Sequence, residues 1–133
     1  MKIGAPKEIF DGENRVALTP ESARFLQKLG HECIVQSGAG VMAKFSDEDY
    51  EDAGVKVVKS VASFWKEAEV VIKLRAPSDS EVKKLTKGQV LICFVWPDQN
   101  KELLDKLGAK GVTCLAMDMV PRISRAQKMD ALS

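Results

Sequence analysis

Short apolar runs recur along the chain with polar, helix-compatible stretches between them. KIGA, ECIVQ, VKVV, EVVIKL, VLICFV and VTCLAM are brief and mostly rich in β-branched residues, which reads as six strands. VLICFV and EVVIKL are apolar almost continuously rather than at alternate positions, the pattern of a strand covered on both faces. Helix starts are written between the runs. Thr19-Pro20-Glu21 opens ESARFLQKLG, Ser46-Asp47-Glu48 opens a short acidic segment, and Ser78-Asp79-Ser80-Glu81 opens EVKKL; each begins with a hydroxyl able to cap free backbone amides. Gly30, Gly54, Gly88 and Gly108 fall where each helix should stop and a strand begin.

Strands alternating with helices imply parallel pairing through right-handed crossovers, with helices on both faces of the sheet. No repeat, low-complexity segment or linker interrupts the alternation, so residues 1–133 read as one folding unit. In such a sheet ligands bind beyond the carboxyl ends of the strands, where the strand order reverses. The loops that matter are therefore PKEIFDGENR, RAPSDS, WPDQN and DMVPRISRAQKMD.

Composition narrows the partners. Twenty basic and nineteen acidic residues leave a formal charge of +1, so the chain has no basic field of the kind that draws proteins to nucleic acid. No apolar run approaches the roughly 20 residues that span a bilayer, and MKIGAPKEIF carries no signal-peptide core; a soluble piece is expected. Cys33, Cys93 and Cys114 lie apart in apolar runs without CxxC spacing and read as reduced core residues, which fits a cytosolic compartment. His31, just after Leu29-Gly30, is the only histidine; it is placed as an exposed cap, and no metal set forms around it.

Gly38-Ala39-Gly40-Val41-Met42-Ala43 matches the G-x-G-x-x-A spacing of a dinucleotide fingerprint. The fingerprint needs a helix to start inside the glycine turn so that its amides meet the pyrophosphate. Here Lys44-Phe45-Ser46 intervene, and no acidic residue lies near the end of VKVV. The segment is read as a permissive loop, and the expected fold is α/β: a mostly parallel sheet of about six strands, flavodoxin-like or Rossmann-like, without the glycine fingerprint.

Charge gathers in the first loop, at Glu8, Asp11, Glu13 and Arg15. Arg15 precedes the apolar Val16-Ala17-Leu18, so the loop should fold back on the sheet, with the arginine either holding a carboxylate or ordering its neighbours. Lys73 and Arg75 are expected on opposite faces of their strand, and Trp96-Pro97 is placed at the mouth of the site or as a lid over core atoms. The chain closes with Arg122, Arg125, Gln127, Asp130 and Ser133 just beyond Pro121. A guanidinium fixed by a carboxylate, beside an amide and a hydroxyl, suits a nicotinamide carboxamide and ribose hydroxyls. Chemistry alone leaves a solvated turn standing beside that reading.

MKIGAPKEIFDGENRVALTPESARFLQKLGHECIVQSGAG and FSDEDYEDAG resemble the N-terminal domain shared by alanine dehydrogenase and the NAD(H)-binding component of proton-translocating NAD(P) transhydrogenase, and MDMVPRISRAQKMDALS is similar to the transhydrogenase branch. The resemblance runs through essentially the whole chain. It implies that the RISRAQKMD loop reaches NAD(H) held mainly by a following Rossmann domain, with Arg122, Gln127, Asp130 and Ser133 at the nicotinamide end.

The resemblance also implies an NADP(H)-binding domain, a membrane proton-channel domain, a homodimer in the full component, and a place on the cytoplasmic side of a bacterial inner membrane, or the matrix side of a mitochondrial one. On this reading the chain is a fragment of a longer polypeptide and inactive alone. Arg75 and Trp96 stand where the alanine dehydrogenase pattern has a lysine and a histidine that handle the keto acid; Arg15, its carboxylate ligand, is present. An alanine dehydrogenase with a rebuilt pocket is the alternative. A phospho-acceptor receiver would need clustered aspartates where Ala5-Pro6-Lys7 stands.

Overall fold

A computed structural model describes residues 1–95 and 100–117. Its six strands are β1 (Lys2–Ala5), β2 (Glu32–Gln36), β3 (Lys56–Val58), β4 (Val70–Ile72), β5 (Val90–Cys93) and β6 (Thr113–Ala116). Between them lie α1 (Pro20–Lys28), a 3-10 turn at Val41–Ala43, α2 (Asp47–Asp52), α3 (Val61–Glu67), α4 (Asp79–Lys84) and α5 (Lys101–Ala109). The sheet runs β3-β2-β1-β4-β5-β6 with every neighbouring pair parallel, the Rossmann order rather than the flavodoxin one. The order reverses between β1 and β4, so the crevice at their carboxyl ends is the place for a ligand.

Three of the helix starts follow from their hydroxyls. Thr19, Ser46 and Ser78 each accept from a backbone amide three residues on, while the side chain of that residue, Ser22, Asp49 or Glu81, accepts from the cap's own amide. Each such box satisfies two amides that a helix start leaves unpaired. Ser60 starts α3 in a simpler way, accepting from the Ser63 amide. Gly30, Gly54 and Gly88 take positive φ at the turns where they were expected. Gly108 does not: it lies inside α5, and the left-handed turn falls at Gly111 (φ 76°). A glycine within a helix is tolerated at modest cost, and the chain reverses only when the backbone reaches the next one.

Alternate residues of β2 to β5 enter two cores. Ile3, Ala5, Cys33, Val35 and Ile72 pack with Ala23 and Leu26 of α1 and Tyr50 of α2. Ile34, Val71, Leu91 and Cys93 pack with Phe64 and Trp65 of α3, Val82 of α4 and Leu107 of α5. The helices thus divide between the faces, and each fully buried aliphatic side chain contributes about 1.5–3 kcal/mol. Cys33 and Cys93 are buried and Cys114 is half-buried; burial pushes the Cys33 thiol up to about 11, which keeps it protonated. His31 is half-buried rather than exposed, and its Nδ1 has no hydrogen-bond partner. Among the described residues no helix is long and apolar enough to cross a membrane.

Candidate functional site at the strand-order reversal

The loop after β1 returns to the sheet as its apolar tail requires. Val16 and Leu18 are buried, and the Leu18 carbonyl accepts a hydrogen bond from the Tyr50 hydroxyl at 2.7 Å. Two ionic clusters hold this loop to the segment that follows β4. In the inner cluster Lys73 donates to Glu8 Oε1 at 3.0 Å and to the Arg75 carbonyl at 2.8 Å, with Glu81 Oε1 at 3.6 Å. In the outer one Glu13 takes Arg15 on both oxygens, at 2.8 and 2.9 Å, while Arg75 Nε donates to its Oε1 at 2.8 Å.

Arg75 also lies over the Phe10 ring, 4.2 Å from its centroid, a favourable place for a cation. Lys73 and Arg75 therefore do not part to opposite faces; both engage carboxylates of the first loop. Two residues is one full strand period, which returns a side chain to the same side, and β4 itself ends at Ile72.

The Arg15 guanidinium, followed by burial working the other way and by Arg75, holds the Glu13 carboxyl down from its ordinary 4.5 to about 2. A carboxylate whose folded value is depressed adds stability above its unfolded value and loses it as pH falls through the folded one. Glu13→Gln removes that contribution. Thermal melts should therefore show the gap between the wild-type chain and this variant, roughly 1–2 kcal/mol at neutral pH because Arg15 is 70% exposed, closing between about pH 5 and pH 2. A constant gap across that window would exclude the ion pair as its source.

Beside these clusters an apolar cavity of about 290 Å³ opens on the face that carries α1 and α2, walled by Val16, Phe45, Ile72, Ile92 and Phe94, with Arg15 and Thr19 among its polar residues. Among the described residues no group of three or more His, Cys, Asp or Glu could hold a metal. The carboxylates and the ammonium of the crevice are already paired with one another.

The glycine loop is accounted for by packing. Gly38 N and the Ser37 hydroxyl donate to the Asp47 carboxylate, and these bonds, the backbone one foremost, lower its pKa. A Cβ on Gly40 would stand 2.6 Å from Tyr50 Cε2 and 2.7 Å from its hydroxyl. Gly40 is thus needed for the approach of Tyr50, and the Gly38 amide that a phosphate would seek is occupied by the chain's own side chain. Neither Asp47 nor Glu8 stood out in sequence as a loop-holding carboxylate; the one available signal was an acidic residue in a loop beside apolar anchors.

Arg122, Arg125, Gln127, Asp130 and Ser133, the expected nicotinamide cluster, and Trp96 lie outside the described residues. Two of the four loops expected at the strand ends, those carrying Glu8 to Arg15 and Arg75 to Ser80, lie within the described residues and meet at the order reversal.

Known proteins resemble this chain along its whole length. It is 60% identical over 133 residues to the NAD(P) transhydrogenase subunit alpha of Cereibacter sphaeroides, all of this chain against 25% of that one. It is 42% identical over 120 residues, 90% of this chain and 32% of the other, to the alanine dehydrogenase of Halomonas elongata. A solved transhydrogenase from Sinorhizobium meliloti superposes with a TM-score of 0.88 at 37% identity, covering 98% of this chain and 39% of that one; an L-alanine dehydrogenase superposes at 0.87 and 37%, covering 94% and 34%. The chain spans about a quarter to a third of these relatives' sequences. Residues 4–133 match the family described as alanine dehydrogenase/PNT, N-terminal domain, and with the parallel sheet and its order reversal in place, the chain belongs to that family.

Proposed function

We propose that residues 1–133 form the N-terminal subdomain of the NAD(H)-binding alpha subunit of a proton-translocating NAD(P) transhydrogenase. The observation that carries this reading is the 60% identity, over the entire chain, to a transhydrogenase alpha subunit. Arg75 supports it, because a permanently charged guanidinium engaged by Glu13 and Phe10 is a poor general acid for a keto acid.

In this reading a following Rossmann domain binds most of NAD(H), and Arg122, Gln127, Asp130 and Ser133 orient its nicotinamide end. NADP(H) sits on a partner domain. The hydride passes with its electron pair from one nicotinamide to the other, so the step needs no protein acid or base; the nicotinamides supply the chemistry and these side chains supply distance and angle. Proton movement belongs to a separate membrane domain. The component is placed as a homodimer on the cytoplasmic side of a bacterial inner membrane, or the matrix side of a mitochondrial one, and the isolated chain as inactive.

Stopped-flow hydride transfer in the complete assembly tests the assignment. Gln127→Ala and Asp130→Asn should each slow the step by roughly 10²-fold while leaving the melting temperature of the subunit unchanged. Wild-type rates in both variants would overturn the role given to these residues. The alternative, an alanine dehydrogenase with an altered pocket, rests on the 42% identity to such an enzyme; NADH oxidation dependent on pyruvate and ammonia by the full-length protein would establish it.

A further inference from the structure

The crevice at the order reversal is filled by the chain itself. Glu8 leaves β1 and sends its carboxylate, 2% exposed, to the carboxyl end of β4. There it accepts from the Leu74 amide at 2.9 Å, the Arg75 amide at 3.3 Å and Lys73 Nζ at 3.0 Å. Two successive backbone amides and an ammonium are the donor set of an anion site, placed where sheets of this order receive their ligands. Lys73, 1% exposed, spends its other contacts on the Arg75 carbonyl and Glu81, so the site is closed on every side by the protein.

We infer that Glu8 is a resident anion: it occupies the anion site at the strand-order reversal, denies it to a phosphate or a free carboxylate, and ties the first loop to the segment after β4. This tie positions the two arginines that share Glu13, because Glu13 and Arg15 lie on the same loop as Glu8, and Arg75 itself supplies one of the two amides that hold it. Glu8 is a positioning residue, and its partner surface is internal. The inference stands independently of the transhydrogenase reading, since it rests only on this geometry.

Removing the carboxylate should turn the closed site into an open one for a small monocarboxylate. Glu8→Ala in the 133-residue chain is expected to lower the melting temperature by roughly 10 °C. Sodium formate should then recover a large part of the loss, while sodium chloride at equal ionic strength should not, and formate should leave the wild type unmoved. Formate and chloride acting alike on Glu8→Ala would overturn the resident-anion assignment. A second readout follows the positioning: the Glu13 carboxyl, titrated by carbon NMR, should move up toward its ordinary value in Glu8→Ala and return with formate. An unchanged Glu13 titration would remove the positioning role. Should Glu8→Ala fail to fold, Glu8→Gln keeps the shape and loses the charge; it should be destabilised yet insensitive to formate, and wild-type stability in that variant would overturn the inference.

Discussion

Lys73→Met is expected to destabilise the domain by about 3–5 kcal/mol, a large effect for a single charged residue. Lys73 is nearly inaccessible and stands between Glu8 and Glu81 while also donating to the Arg75 carbonyl. Methionine fills most of the space but leaves two buried carboxylates without a cation and a carbonyl without a donor. The penalty is therefore that of stranded charge rather than of lost attraction. Urea unfolding measures it, and the melting temperature should fall by roughly 10–20 °C. The double variant Glu8→Gln/Lys73→Met should recover part of the loss, because one stranded charge is gone. A single-variant effect below about 1 kcal/mol, the scale of an exposed pair such as Lys106–Asp79, would mean that solvent reaches the cluster and that it does not lock the loops.

Trp65→Ala should cost a comparable 3–5 kcal/mol, by a different route. Trp65 and Phe64 are fully buried neighbours on α3, with ring centroids 5.8 Å apart and planes at 87°, an edge-to-face arrangement. They join Val71, Leu85 and Leu91 in the core beneath α3, α4 and α5. α3 carries the chain from β3 at one edge of the sheet to β4 at its centre, so the void left by the indole lies under the connection that creates the order reversal. The backbone of α3 is held separately: the Gln89 amide donates to the carbonyls of Trp65 and Ala68 and ties the end of α3 to the turn before β5. Trp65→Phe should be milder, and Phe25→Ala, on the exposed side of α1, should stay within about 0.5 kcal/mol. Equal effects from Trp65→Ala and Phe25→Ala would contradict the packing described.

α3 was also the least legible element in sequence. Its start is marked by a lone Ser60, and VASFWKE carries two large aromatics side by side, a pattern that fits a buried strand as readily as a helix. The neighbouring strands were easier, since VLICFV and EVVIKL are too short and too continuously apolar for a surface helix. Gly108 ends a periodic run and so looks like a stop, whereas α5 continues through it and the chain turns at Gly111. Opposite faces for Lys73 and Arg75 conflict with the two-residue period of a strand, and their common attachment to the first loop corrects that expectation.

Of the candidate site, the sequence pointed to the right loops without the pairing inside them. Glu8, Glu13 and Arg15 are visible as charges, but nothing local distinguishes the carboxylate that binds an arginine two residues away from the one that crosses to residues 73–75. The same holds for Asp47, whose partners Ser37 and Gly38 lie ten and nine residues back.

Fold class, the number and type of the strands, the capped helix starts and the decoy nature of the glycine loop are local matters. Burial periodicity, cap hydroxyls and turn glycines act within a few residues, so the linear chain determines them. Which strand lies beside which, and which charge meets which, depended on the folded sheet. Bringing β4 next to β1 sets residues 65 to 67 positions apart within hydrogen-bond range, and such long-range pairing is chosen by the packing of whole faces and leaves no mark on neighbouring residues.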